Sequence, residues 1–216
     1  MKKTANESRD PNQLLVGFIR YFGYFLFKLI WQIDYKNTEN IPAETGKGLL
    51  IAPNHQTYLD PFWISIPIRR DMRYMAWDEA FKWFLIGPFI RSLGAFPVSI
   101  KRGGTVAALK EALKLLKEGK TLFVFPEGER ELADGKLLPF KTGAARLAIE
   151  ADVPILPVTI EGGNKVWSRE HKFPHFGKVT ITYHPVIYSD NKLFENNPQE
   201  NVNLLTNALK ETIKRI

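Results

Sequence analysis

The chain has 216 residues, 44% of them hydrophobic, with a formal net charge of +7, four histidines and no cysteine. That length implies one domain, or one domain with a small appendage, and the apolar content suffices for a core. The lack of cysteine excludes disulfides and thiolate metal sites. The positive charge suits nucleic acid, anionic lipid or an anionic substrate, but no helix-turn-helix or ribonucleoprotein-type signature favours nucleic acid.

Met1 to Asn12 is polar, and no small-residue cleavage site follows the next apolar stretch, so no cleavable signal peptide is expected and the chain is assigned to the cytoplasm. Leu14 to Ile33 is the most apolar segment and is rich in Phe, Tyr and Trp. It nearly reaches the roughly 20 residues of a membrane span. Arg20 and Lys28 interrupt it, each at roughly 2.5–3.5 kcal/mol near the centre of a span. About 80° apart around a helix, they can share one side. A helix lying in the membrane interface is predicted, with its basic residues toward anionic lipid; a buried amphipathic core helix is the alternative. Residues 1–35 are thus assigned to an N-terminal membrane-associating helical segment and 36–216 to the remaining domain.

Ile33 to Lys36 reads as a short strand and Leu49 to Pro53 as a buried one. A helix follows from Phe62 to Ile68, with Pro61 at its start. Met72 to Trp77 reads as a strand. Glu79 to Leu93 reads as an aromatic helix bent at Gly87-Pro88, and Phe96 to Ile100 as another strand. Thr105 to Lys117 is predicted to be a helix with Val106, Leu109, Leu113 and Leu116 on its apolar face and Gly119 stopping it. Thr121 to Phe125 is apolar throughout, as in a parallel interior. A helix from Thr142 to Ala151, strands at Ile155 to Ile160 and Val179 to Tyr183, and a final amphipathic helix from about Gln199 to Ile216 complete the chain. Alternating strands and helices predict an α/β fold with a largely parallel mixed sheet flanked by helices.

Three strand exits carry chemistry-bearing residues. After Pro53 comes Asn54-His55-Gln56-Thr57-Tyr58-Leu59-Asp60. In an unbroken helix, His55 and Asp60 would point about 140° apart and differ in height by about 7.5 Å. They can meet only if the segment turns back before the helix starts, and Pro61 favours that by disfavouring helical geometry at Asp60. A meeting would give a His–Asp dyad, with one ring nitrogen held by the carboxylate and the other free as a general base. The alternative is a turn histidine followed by an aspartate N-cap. After Phe125 comes Pro126-Glu127-Gly128-Glu129-Arg130, where Gly128 allows close backbone approach and Arg130 can grip a phosphate. Lys101 and Arg102 precede Gly103-Gly104 at a helix start, where free amides also favour an anion. His171 and His175 are four apart, but Pro174 between them argues for a loop rather than a zinc-binding helix, and no metal is expected.

These residues resemble the glycerolipid acyltransferase family typified by lysophosphatidic acid acyltransferase. Asn54-His55 with Asp60 is similar to the family's first block, Gly94-Ala95-Phe96-Pro97-Val98 with Arg102 to the second, Phe125-Pro126-Glu127-Gly128 with Arg130 to the third, and Val153-Pro154-Ile155-Leu156-Pro157-Val158 to the fourth. The blocks occur in the family's order between Gly48 and Ile160. Two departures stand out. Glu129 occupies a position that usually holds threonine, and Ser99-Ile100-Lys101 precedes Arg102, where an acidic or small residue is usual.

The resemblance implies direct acyl transfer from acyl-CoA or acyl-acyl carrier protein, as co-substrate rather than cofactor, to lysophosphatidic acid, at the cytoplasmic face of a membrane by a peripheral enzyme. It implies His55 as the base and Asp60 as its orienter. Arg130 and Arg102, with Lys101, would hold the acceptor phosphate. Glu127 and Gly128 belong to the substrate-binding set, with Glu127 positioning the glycerol hydroxyls or Arg130. Phe81 to Phe89 could line an acyl slot or be ordinary core. The rival readings are acylation of another lysolipid or a lipid-linked amine, and a non-catalytic anionic-lipid binding protein that would not need His55 and Asp60.

Overall fold

The structure is a computed structural model that describes residues 8–99, 104–130, 135–168, 170–188 and 197–214. Its strands are β1 (Asp34–Lys36), β2 (Leu49–Pro53), β3 (Met72–Trp77), β4 (Ala95–Val98), β5 (Thr121–Phe123), β6 (Ile155–Glu161) and β7 (Thr180–Tyr183). They form one sheet in the order β1-β7-β6-β2-β5-β3-β4. All neighbouring pairs are parallel except β6 and β7, so β1 and β7 run against the other five strands. The largely parallel mixed sheet is therefore present. β2 and β5, which lead into two of the three motifs, are hydrogen-bonded neighbours with Ile51 opposite Phe123.

The helices are α1 (Gln13–Trp31), α2 (Asp60–Ser65), α3 (Ile86–Ser92), α4 (Gly104–Lys117), α5 (Gly143–Ala151), α6 (Gly163–Trp167) and α7 (Pro198–Lys214). They cover both faces of the sheet, and the two-residue period of a strand divides the core between them. In β2, Leu49 and Ile51 join the side containing Phe27, Trp31 and Trp63, whereas Leu50 and Ala52 join the side containing Ala108, Ala148 and Leu209. Thus α1 and α2 pack on one face, and α4, α5 and α7 on the other.

Several expectations are corrected. The stretch from Glu79 to Leu93 is not one bent helix: a 3₁₀ segment, Asp78–Lys82, is followed by α3, and the break falls at residues 83–85, ahead of Gly87. Gly87 lies against the backbone of Phe81, where a Cβ would stand 2.2 Å from the carbonyl oxygen, so packing rather than a proline kink sets this break. In α4 the inner stripe is Ala108, Ala112, Leu115 and Leu116, whereas Val106 is exposed. Alanines let the helix approach the sheet closely, and hydrophobicity alone pointed to the larger side chains. α2 starts at Asp60, one turn-residue before the proline expected to open it.

α1 begins with the Asn12 side chain accepting from the Leu14 and Leu15 amides at 3.1 and 3.2 Å. It is long and apolar enough to cross a membrane by length and composition alone. Gly23, Phe27 and Trp31 are buried against the domain, while Leu14, Phe18, Tyr21, Phe22, Phe25 and Leu29 are exposed. Arg20 and Lys28 do not share a side as predicted. Lys28 is exposed over the Tyr24 ring, whereas Arg20 turns inward and donates to the Arg70 carbonyl at 3.3 Å.

Candidate active site

The segment after β2 turns back on itself before α2, and the Asp60 carboxylate holds the turn. Asp60 is fully buried. Its Oδ2 accepts from the Gln56 amide at 2.7 Å and the Thr57 amide at 2.9 Å, while Oδ1 accepts from the Thr57 hydroxyl at 2.6 Å. His55 Nδ1 lies 2.9 Å from the same Oδ2. A carboxylate can only accept, so Nδ1 carries the proton of this hydrogen bond. No described residue hydrogen-bonds Nε2, and the His55 side chain is 15% exposed. The two open readings of the motif are both partly right: Asp60 holds a turn and also binds the histidine, although Leu59 rather than Asp60 precedes the helix.

Neighbouring strand exits fix this turn from three sides. The Asn54 side chain donates to the Ile160 carbonyl at 2.9 Å and accepts from the Ile160 amide at 2.7 Å, tying the turn to β6. Gln56 Oε1 accepts from the amides of Gly163 and Asn164 at 2.9 and 3.3 Å. A Cβ at Gly163 would lie 2.9 Å from that oxygen, so a larger residue there would push the Gln56 side chain aside. From β5, Phe125 stacks its ring on the His55 imidazole at 3.5 Å and 12°.

Glu127 is buried, and its two oxygens accept from the backbone amides of His55 and Leu138, each at 2.7 Å. Through these bonds the carboxylate clamps the histidine's own backbone to the loop before α5. Gly128 has φ +74°, a conformation that favours glycine, and the Lys141 amine lies where its side chain would begin. Arg130 places its guanidinium 3.6 Å from the centre of the Tyr58 ring, so the first and third motifs touch. Glu129 is exposed. Lys101 and Arg102 lie outside the described residues.

The aromatic run expected as acyl slot or core divides between buried and exposed positions. Phe81 is buried, but Trp83, Phe84 and Leu85 are exposed. His171 and His175 stand in a loop with ring centres 4.5 Å apart. The contributions of Phe125, Tyr58, Gln56 and Thr57 were not foreseen: those of Phe125, Tyr58 and Gln56 depend on which elements are neighbours, and that of Thr57 on how the turn folds back onto Asp60. The only local signal was position: all four lie within five residues of a strand exit.

Fold and site together define an α/β protein with a carboxylate-held histidine where the central parallel strands end, the edge at which open α/β sheets bind ligands. The family model described as Acyltransferase matches residues 32–161, and the chain belongs to that family. It is 31% identical to a 1-acyl-sn-glycerol-3-phosphate acyltransferase of Bacillus subtilis, over 83% of this chain and 85% of the relative. It is 30% identical to one of Streptococcus pneumoniae, over 92% and 73%. A chloroplastic 1-acyl-sn-glycerol-3-phosphate acyltransferase of Brassica napus is 28% identical over 78% of this chain, which spans about half (51%) of that longer relative. Among solved structures, the 1-acyl-sn-glycerophosphate acyltransferase PlsC of Thermotoga maritima superposes with a TM-score of 0.76 at 29% identity, covering 94% of this chain and 78% of the other.

Proposed function

We propose that this protein transfers a fatty acyl group from an acyl thioester to the free hydroxyl of 1-acylglycerol-3-phosphate, giving phosphatidic acid. The observation that carries the reading is the buried Asp60 carboxylate 2.9 Å from His55 Nδ1, with no described residue hydrogen-bonded to Nε2. Membership of the acyltransferase family and the names of the relatives support the acceptor.

His55 Nε2 takes the proton of the acceptor hydroxyl as its oxygen attacks the thioester carbonyl. Asp60 stabilises the imidazolium that forms. Collapse of the tetrahedral intermediate breaks the carbon–sulfur bond, and the imidazolium returns its proton to the departing thiolate. No covalent acyl-enzyme is required. Arg130, with Lys141 nearby and Lys101 and Arg102 from the β4 exit, supplies positive charge for the acceptor phosphate. Gly128 lets the ligand approach the backbone. Acyl-CoA or acyl-acyl carrier protein is the donor, without a cofactor. Residues 1–35 hold the protein on the cytoplasmic face of the membrane as a peripheral, monotopic enzyme, α1 lying in the interface with its exposed apolar face in lipid; residues 36–216 form the acyltransferase domain.

A thiol-release assay with each donor against lysophosphatidic acid and a zwitterionic lysolipid tests this reading. The native protein is expected to prefer lysophosphatidic acid, and His55→Ala to lose about 10²–10⁴-fold in turnover while remaining folded. Near-normal turnover in His55→Ala rejects the mechanism. Because Glu129 is exposed, Glu129→Thr is expected to leave the acceptor preference unchanged; a native protein that prefers the zwitterion, with Glu129→Thr reversing that order, makes Glu129 a selectivity residue and rejects the acceptor assignment.

A further inference from the structure

A groove of about 930 Å³ runs between α1 and the segments that enter β2 and β3. It lies at the opposite end of the parallel strands from His55, and the proposed reaction leaves it unused. Its walls are mostly apolar, with Tyr21 and Phe25 on the α1 side and Ile41 and Pro42 facing them. Two arginines, Arg20 and Arg69, line it.

Neither guanidinium has a carboxylate partner among the described residues. Arg20 makes one hydrogen bond, to the Arg70 carbonyl, and its Nε is buried with no partner. Burial lowers the Arg20 pKa, as does the nearby charge of Arg69, against an opposing effect of Tyr74. Glu44, the carboxylate on the groove wall, is engaged elsewhere: it lies 3.6 Å from Arg70 and accepts from the Gly46 and Asp71 amides at 3.4 Å. Two cations at an apolar groove, neither with a carboxylate partner among the described residues, favour an anion attached to an apolar body. Tyr21 and Phe25 also belong to the exposed side of α1, so the groove opens toward the surface assigned to lipid.

We infer that this groove binds an anionic phospholipid of the surrounding leaflet, its headgroup phosphate held by Arg20 and Arg69 and an acyl chain laid along Tyr21 and Phe25. The inference rests on the interfacial reading of α1 for the source of the lipid. Occupancy pairs the phosphate with both arginines and seats α1 against lipid without engaging the reaction centre.

Calorimetric titration of the full chain with monomeric dihexanoyl phosphatidylglycerol, dihexanoyl phosphatidylcholine and inorganic phosphate tests it, beside co-sedimentation with phosphatidylglycerol vesicles. Saturable binding of the anionic lipid is expected, tighter than that of either other ligand. Arg69→Glu should weaken it at least about tenfold. Arg69 is exposed, so this change spares the core, and an unaltered melting curve verifies that. Arg20→Gln should weaken it as well, and Arg130→Ala should not. If Arg130→Ala abolishes binding and Arg69→Glu does not, the lipid occupies the reaction centre and the inference fails. Equal affinity for inorganic phosphate also overturns it. Vesicle binding without saturable monomer binding overturns the groove while leaving the interfacial reading intact.

Discussion

Two buried carboxylates, Asp60 and Glu127, organise the site, and neither faces solvent as an ordinary acid would. Burying a charge is tolerable only when hydrogen bonds replace its water. Asp60 receives donors from His55, Gln56 and Thr57, and Glu127 receives the amides of His55 and Leu138. His55 is therefore held at its ring by one carboxylate and at its backbone by the other. Replacing Glu127 by Gln turns one acceptor into a donor facing an amide. The expected cost is about 1–3 kcal/mol of stability, read by urea unfolding. Turnover should fall with it, since the imidazole loses its fixed mount. A Glu127→Gln protein of native stability and activity would show that the clamp is dispensable.

At the level of elements, the final helix is tied to the sheet through His184 and Thr159. His184 Nε2 lies 2.8 Å from the Thr159 hydroxyl, which donates to the Ile213 carbonyl in α7 at 3.2 Å. With its proton committed there, the hydroxyl accepts from Nε2–H. Burial lowers the His184 pKa. Above the unfolded histidine value of about 6.5, both states are neutral and the contribution to stability is complete. As pH falls through that value toward the lowered native one, the unfolded chain gains a proton that the native protein excludes, and stability is lost. Urea midpoints at pH 7.5 and 5.5 should show this loss, and His184→Gln, which keeps a neutral donor, should reduce it. An undiminished loss in that variant would assign the effect to other groups.

On the scale of the whole molecule, the helix expected to serve the membrane is also part of the core. Phe27 and Trp31 pack with Trp63, and the Trp31 indole donates to the His175 carbonyl at 2.9 Å. Deleting residues up to Tyr35 would therefore expose core and confound any test of lipid binding. Changing only the outer face avoids this. Phe18→Ser/Phe22→Ser/Leu29→Ser is expected to weaken binding to anionic vesicles at least about tenfold while leaving the melting temperature unchanged, because each site is exposed. Full vesicle binding by the triple variant would remove α1 as the contact.

Local pattern alone determined much of this protein. The apolar run Leu49 to Pro53 matches β2 and Met72 to Trp77 matches β3, and the alternation of strands and helices holds except for α6, between β6 and β7, which the pattern did not show. Periodicity and turn residues act over a few positions, so they are readable in one chain. The spacing of His55 and Asp60 likewise showed that the segment between them had to fold back if they were to meet. The break at residues 83–85 and the alanine stripe of α4 were illegible: the first follows from Gly87 closing onto the backbone of Phe81, the second from how closely the helix sits on the sheet. Only the tertiary structure decided which strands are neighbours. That order places Phe125 on the His55 ring, Glu127 beneath its backbone and Arg130 over Tyr58, and it turns Arg20 inward to a groove. These contacts join residues as much as 72 positions apart, and no pattern of nearby residues specifies them: burial of apolar surface across the whole sheet does.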